Sequence, residues 1–465
     1  MLKRNIISNF LGNGYVVILQ FALVPFLLKY LGAEAYGLVG IYITLLAALN
    51  MLDMGLSPAL SRELARLSVL PNSAHLMRST VTTLESIYFV IALLIMGVFY
   101  FCAPIIAKYW LNNNALPLET ISACLRLMGF QCALQFLTNY YTNGLIGLQR
   151  MARANGVLVL NHTMRAVGGL LVLIVATANV QVYFLSQVLL TLVGLLITAY
   201  ALYHALPAGI ATNELANNKL QKLKLRFSLE RFSACKRFAA GMAITSTCVF
   251  FIMQTDKIIL SKLVSLEQFG YYTVAISIAT TIAGAAGVIS RSVLPRMTQL
   301  VALNEAEALK TLYLKSSSFV AWVVLPIAGL LIVFNQQFLT LYLGNIDRVA
   351  YIAPVFTLLM FGYAVHSLMY IPYALTLAHG WTRYGINISI VVIVVMTPIT
   401  ILATLKYGVV GAASAWVVLS LGYLCFSIKY LHQKIHKDWM WSFYRGISLQ
   451  LLILVLCCAS LLLKR

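Results

Sequence analysis

The chain has 465 residues, of which 61% are apolar or aromatic and 10% charged, and 33 Lys plus Arg against 13 Asp plus Glu give a net charge of +20. A soluble domain carries roughly 25% charge, and a soluble fold of this size with so few charged groups has too little polar surface to cover itself. The composition excludes a soluble enzyme, a disordered chain and a secreted disulfide scaffold, and leaves a polytopic membrane protein.

The N-terminus, Met1-Leu2-Lys3-Arg4, is basic and opens an apolar run that passes Pro25 and reaches about Leu31 without a small-residue cleavage site. A retained first helix is expected rather than a cleaved signal peptide. A helix needs ~20 apolar residues to cross ~30 Å of hydrocarbon. Runs of that kind lie near 11–31, 36–56, 80–107, 121–148, 155–176 and 181–206, and again near 239–260, 270–293, 317–335, 350–377, 384–405, 409–430 and 444–463. Barrel strands would be ~10 residues long and alternate in polarity, and these runs are longer and continuous. The thirteen spans are therefore read as helices, because lipid offers open backbone groups no partner, and the fold class is all-α. The eight cysteines form no CxxC pair and no metal-ligand cluster, so they read as small hydrophobes.

The basic residues label the sides of the membrane. With alternating loops, 23 of the 33 fall on one side, seven on the other, and Arg126, Arg165 and Lys257 within spans. The positive-inside rule then puts the N-terminus in the cytoplasm. Between the two sets of spans, the segment 207–237 interleaves Lys219, Lys222, Lys224 and Arg226 with Leu220, Leu223 and Phe227. That pattern suits an interfacial helix on an anionic leaflet, and a solvated linker fits it as well. Nucleic-acid binding is not needed to explain the charge.

The two sets look duplicated. Lys29 to Gly37 and Lys262 to Gly270 share Lys, Glu, aromatic and Gly positions at an offset of 233, and Leu60-Ser61-Arg62 matches Leu294-Pro295-Arg296 one residue later. Arg153 and Arg383 occupy equivalent short loops. We expect a six-helix lobe over 1–206, a basic linker over 207–237, a second six-helix lobe over 238–432 and an extra helix over 433–465. Both lobes would begin on the cytoplasmic side, which makes the repeat parallel and suits alternating access around a central cavity.

The Leu31-Gly32-x-Glu34-x-Tyr36-Gly37 run, the Asp53-Met54-Gly55 turn and the stretch from Asp256 to Tyr272 resemble signatures of Wzx-type polysaccharide flippases, of the multidrug/oligosaccharidyl-lipid/polysaccharide exporter superfamily. The resemblance implies two six-helix bundles and transport of an undecaprenyl-diphosphate-linked oligosaccharide across the bacterial inner membrane, for O-antigen or similar lipopolysaccharide synthesis. It implies as partners the membrane lipids, a polysaccharide polymerase and a chain-length regulator. A thirteenth span departs from the twelve-helix pattern.

Ionisable groups inside spans are functional candidates, because each costs several kcal/mol unless it meets water or a partner. Arg165, mid-span after Asn161 and His162, is the first choice to receive a diphosphate, since its fork matches phosphate oxygens. The alternative is a structural pair with an acid on a neighbouring helix. Arg126 and Lys257 are further cationic candidates, with snorkelling an equal reading for Arg126. The Gln131, Gln135, Asn139 seam offers amides to sugars or serves as inter-helix glue. Tyr363 and Tyr370, spaced with His366 and Tyr373 along the tenth span, offer rings for stacking or simple packing. Asp256 is a candidate for coupling to a proton or sodium gradient, or half of a helix bridge; its neighbour Lys257 points ~100° away. Asp53 and Glu85 are candidates for an inner gate with Arg62 or Arg291, or for ordinary caps.

No cofactor is expected. No Walker loop is present, so this chain does not hydrolyse ATP. Two other functions compete with a flippase. A multidrug or small-molecule antiporter would carry an acidic cavity. A polymerase or ligase would need a sizeable outer loop, which the sequence lacks.

Overall fold

A computed structural model describes residues 2–53, 56–68, 73–111, 116–175, 179–207, 247–248, 250–343 and 349–462. Among them the regular elements are helices and no strand occurs. Ten of these helices are long and apolar enough to cross a membrane. Three expected spans account for the difference from thirteen. The second is the shorter apolar helix Ala33–Ala48, the spans at 384–405 and 409–430 form one run, Tyr384–Ile435, and the span at 239–260 is described only in part. Apart from Pro207, the basic segment 207–237 lies outside the described residues.

The chain forms two compact units, 1–250 and 251–465. The first holds α1 (Leu2–Leu31), α2 (Ala33–Leu52), α3 (Leu56–Leu67), α4 (Ala74–Tyr109), α5 (Leu118–Gly147), α6 (Met151–Val175) and α7 (Val180–Ala205). Helix α5 lies at its centre, packed by α2, α3, α4, α6 and α7. Tyr88 of α4 stacks on Phe136 of α5 at 4.6 Å, and the Tyr140 hydroxyl of α5 donates to the Val81 carbonyl at 2.5 Å. Helix α1 packs on α6, with the Tyr15 and Thr163 hydroxyls 2.9 Å apart.

The second unit holds nearly all of α8 (250–263), then α9 (Leu266–Ala302), α10 (Ala306–Val333), α11 (Asn335–Leu343), α12 (Val349–Ser367), α13 (Tyr370–Ala378) and α14 (Thr382–Gly422). A π turn, Tyr423–Ser427, leads to α15 (Ile428–Ile435) and α16 (Trp439–Leu462). Gly408, at φ +57°, breaks α14 between the two expected spans, in a conformation that costs glycine little. Helix α16 packs along α10. Its anchor is Tyr313, which stacks on Phe443 at 5.8 Å and meets the His432 Nε2 at 3.0 Å.

Local geometry recurs between the units. Gly32 (φ +82°) ends α1, and its carbonyl accepts from Tyr36 N at 3.0 Å. At 233 residues further on, Ser265 starts α9 and its carbonyl accepts from Phe269 N at 2.9 Å. Helix α5 ends with bonds from Leu148, Gln149 and Arg150 N to Gly144, Ile146 and Leu145 O. Helix α13 ends with the same three bonds 231 residues later, from His379, Gly380 and Trp381 N to Leu375, Leu377 and Thr376 O. Both caps place one residue at positive φ, Gln149 at 58° and Gly380 at 69°, as left-handed C-caps do.

Two elements differ from the expectation. A separate amphipathic helix, α3, follows the second span, and Asp53 caps it by accepting from Ser57 N at 3.2 Å. The tenth span is two helices, α12 and α13, with a turn at Leu368–Met369. The cause is Pro372, which has no N–H to donate to the residue 368 carbonyl and crowds it.

Candidate functional site

Arg165 sits near the middle of α6, and three other helices of the first unit hold its guanidinium. Its Nη2 donates to the Tyr42 hydroxyl of α2 at 3.0 Å. Its Nη1 donates to Gln135 Oε1 of α5 at 3.0 Å. Its Nε donates to Gln187 Oε1 of α7 at 3.2 Å. The Gln187 amide returns a bond to the Arg165 carbonyl at 2.9 Å. The Tyr42 ring also lies 5.9 Å from the guanidinium carbon. Every partner is neutral. The alternative, a pair with an acid on a neighbouring helix, does not occur: among the described residues the salt bridge is Arg66–Glu63, on α3. The charge of Arg165 is therefore solvated by dipoles but not cancelled. Of five guanidinium N–H groups, three are used in these bonds and two remain.

The polar seam on α5 divides. Gln135 also donates to Asn139 Oδ1 at 3.0 Å and so joins the Arg165 cluster. Gln131, one turn earlier, is fully buried, and neither amide atom has a hydrogen-bond partner. Arg126 stands over the Tyr100 ring of α4 at 5.1 Å, and its buried Nε has no partner.

The two candidate gate acids of the first unit, Asp53 and Glu85, are held by hydroxyls. Asp53 accepts from the Ser57 hydroxyl at 2.7 Å and from the Tyr88 hydroxyl. Glu85 accepts from Tyr141 and from Tyr203 at 2.5 Å. Among the described residues neither carboxylate has a cation within ion-pair distance in its own unit. The Arg62 side chain lies outside the described residues.

In the second unit Asp256 is buried at 5% exposure. Its Oδ2 accepts from the Tyr272 hydroxyl at 2.5 Å, and Oδ1 has no partner. It lines a recess of about 20 Å³ of water-accessible space together with Thr255, Thr397, Thr400 and Trp416. The indole Nε1 of Trp416 is likewise unpartnered. This space is the size of one water and too small for a sugar. Lys257 faces elsewhere and folds back on its own helix, donating to Met253 O at 2.9 Å and Gln254 Oε1 at 3.0 Å. Arg291 is exposed on α9.

The expected aromatic stripe is replaced by a packed cluster, because the helix breaks between its members. Tyr363 is buried and stacks on Trp416 at 4.6 Å. His366 meets Tyr370 at 6.2 Å and Tyr423 at 5.2 Å. Tyr363 stacks on protein, so that face of its ring is already occupied. The partners that complete these sites, Tyr42 and Gln187 around Arg165 and Tyr272 and Trp416 around Asp256, were not singled out by sequence. A tyrosine or glutamine in an apolar run carries no pattern of its own, although Tyr272 stands in the quoted second-half signature.

The profile of a family described as "Polysaccharide biosynthesis protein" matches residues 2–301. The chain belongs to that family. Within reach of this polysaccharide biosynthesis family stands a Shigella flexneri protein named "Putative O-antigen transporter", 19% identical over 418 residues, which are 89% of this chain and 94% of that protein. An inward closed conformation of lipid II flippase MurJ matches with a TM-score of 0.70 at 13% identity, covering 97% of this chain and 96% of that one. An inward-facing multidrug resistance MATE family transporter of the MOP superfamily matches with a TM-score of 0.69 at 14% identity, covering 91% and 96%. At such identities the solved structures speak for the fold, which is the all-α polytopic fold of MOP-superfamily transporters. The family and its neighbours are transporters or flippases and not enzymes.

Proposed function

We propose that this protein is a flippase that carries an undecaprenyl-diphosphate-linked oligosaccharide across the bacterial inner membrane by alternating access, with its N-terminus in the cytoplasm. The observation that carries this reading is Arg165, a membrane-embedded cation whose partners are all neutral and which keeps two N–H groups to offer. A half-buried charge inside a span is costly unless water, a partner or a ligand of opposite sign meets it, and a diphosphate is such a ligand. Amides and hydroxyls nearby, Gln135, Asn139 and Tyr42, suit a hydroxyl-rich headgroup. The constant offsets of the helix break and the helix cap support two duplicated lobes. Asp256, with one open carboxylate oxygen at a water-sized recess, is the residue we assign to coupling with a proton or sodium gradient. A polymerase and a chain-length regulator are the partners that such a product requires.

A multidrug antiporter is the competing reading, favoured by the MATE likeness. Its cationic substrates need free carboxylates, and the two candidate acids inside the first unit, Asp53 and Glu85, already accept hydrogen bonds at both oxygens. The test is translocation of a fluorescent undecaprenyl-diphosphate-linked sugar in proteoliposomes. Arg165→Ala is expected to lower the rate at least about tenfold, a change of ~1.4 kcal/mol in barrier. A wild-type rate in that variant, or efflux of an organic cation by the wild type, overturns the assignment.

A further inference from the structure

The way Arg165 is held points to a further pair of residues, and the inference rests on the flippase reading. Gln187 is almost fully buried at 4% exposure. Its side chain makes two bonds to one residue: Oε1 accepts from the Arg165 Nε at 3.2 Å, and Nε2 donates to the Arg165 carbonyl at 2.9 Å. The second bond fixes which end of the amide faces the guanidinium. The helix it grips leaves room for it, since a Cβ on Gly169 would come within 2.3 Å of the Gln187 Nε2. Gln135 is locked in the same way from another helix. Its Oε1 accepts from Nη1 at 3.0 Å, and its Nε2 is committed to Asn139 Oδ1 at 3.0 Å.

Both side chains have the length of glutamate. A carboxylate at either position would reach the same N–H groups. It would then form an ion pair and cancel the charge that the site carries. An amide accepts the same hydrogen bonds and leaves the charge in place. The geometry points to Gln187 and Gln135 as the specificity-determining residues of this site: they position the guanidinium while keeping it uncompensated, and so commit the site to an anionic, diphosphate-bearing lipid. They are positioning residues, acting on the ligand through Arg165.

The experiment measures binding of undecaprenyl diphosphate to the full-length protein in nanodiscs, for wild type, Arg165→Ala, Gln187→Glu, Gln135→Glu and each glutamate combined with Arg165→Ala. The thermal midpoint of every variant is recorded alongside. We expect each glutamate to weaken binding at least about tenfold in a protein that stays folded, the ion pair it gains offsetting the donor bond of Nε2 that it gives up. In the Arg165→Ala background the same glutamates are expected to cause no further loss, the signature of two residues acting through a third. Gln135 and Gln187 lie on different helices, so either one carries the test if the other variant does not fold. Loss of binding in Arg165→Ala with wild-type affinity in both glutamates overturns this inference and leaves the flippase reading standing. So do losses that add to that of Arg165→Ala. Wild-type affinity in Arg165→Ala itself overturns the flippase reading, and this inference with it.

Discussion

The two units treat three of their acids differently. In the first, both oxygens of Asp53 and both of Glu85 accept hydrogen bonds from hydroxyls or backbone. In the second, Asp256 has one oxygen bound to Tyr272 and the other bare, beside a recess large enough for a water. Burial without partners is expensive for a carboxylate, so an acid with both oxygens met is a structural device. An acid with an unmet oxygen keeps a place for something that comes and goes. Under the function proposed above, the step that draws on an ion belongs to Asp256 in the second unit, and the acids of the first serve its structure.

The largest expected effect lies at Asp256. Asp256→Asn is expected to abolish acceleration of lipid translocation by an imposed ion gradient, a loss of at least about tenfold. Its cost in folding stability should stay within ~1 kcal/mol, because the amide oxygen still accepts from Tyr272. Gradient-driven and gradient-free rates in proteoliposomes separate the two, and an unchanged gradient response removes Asp256 from coupling. Glu85→Ala should do the reverse. It strands the hydroxyls of Tyr141 and Tyr203 and costs about 2 kcal/mol of stability, read by thermal unfolding in detergent, while the gradient response of the folded fraction persists. Gly169→Ala pushes a methyl into Gln187, for a cost of about 1 kcal/mol by overpacking. It should weaken undecaprenyl diphosphate binding several-fold, whereas Gly284→Ala, which meets open space, should not.

The smallest effect concerns pH. His436 lies outside the spans, between α15 and α16, stacked on Trp439 at 3.8 Å. Partial burial and the nearby His379 push its pKa below the usual 6.5, against the opposing pull of Asp438. The folded protein therefore holds this proton less tightly than the unfolded chain. The contribution is complete above about pH 6.5 and is lost as pH falls through 6.5 toward the lower folded value. Replacement by Phe keeps the ring stack and should flatten that part of the acid decline in melting temperature. An unchanged decline in His436→Phe assigns it to other groups.

Much of this organisation is legible in the sequence, because helix and lipid both obey one-dimensional rules. Apolar run length gives the spans, and Gly32 and Gly408 stand where the runs stop. The Arg165 site is legible only in its first member. An arginine inside an apolar run announces itself by its cost. Tyr42, Gln135 and Gln187 become its partners only when α2, α5 and α7 are brought beside α6, at sequence distances of 123, 30 and 22 residues. Among these, Gln135 was visible as part of a seam, and the other two were not. The break in the tenth span carried its own signal in Pro372. It was overridden by the hydropathy of the run, which does not register a missing N–H.

The joint at Asp53 has a mechanical meaning. Shifted by 233 residues, α2 begins where α9 begins, but α2 stops at Leu52 and α3 starts again at Leu56, whereas α9 continues unbroken to Ala302. One half of the protein thus has an articulated strut where the other has a stiff one. Force applied along each would be absorbed by bending in the first and transmitted whole by the second, so the two units need not respond alike.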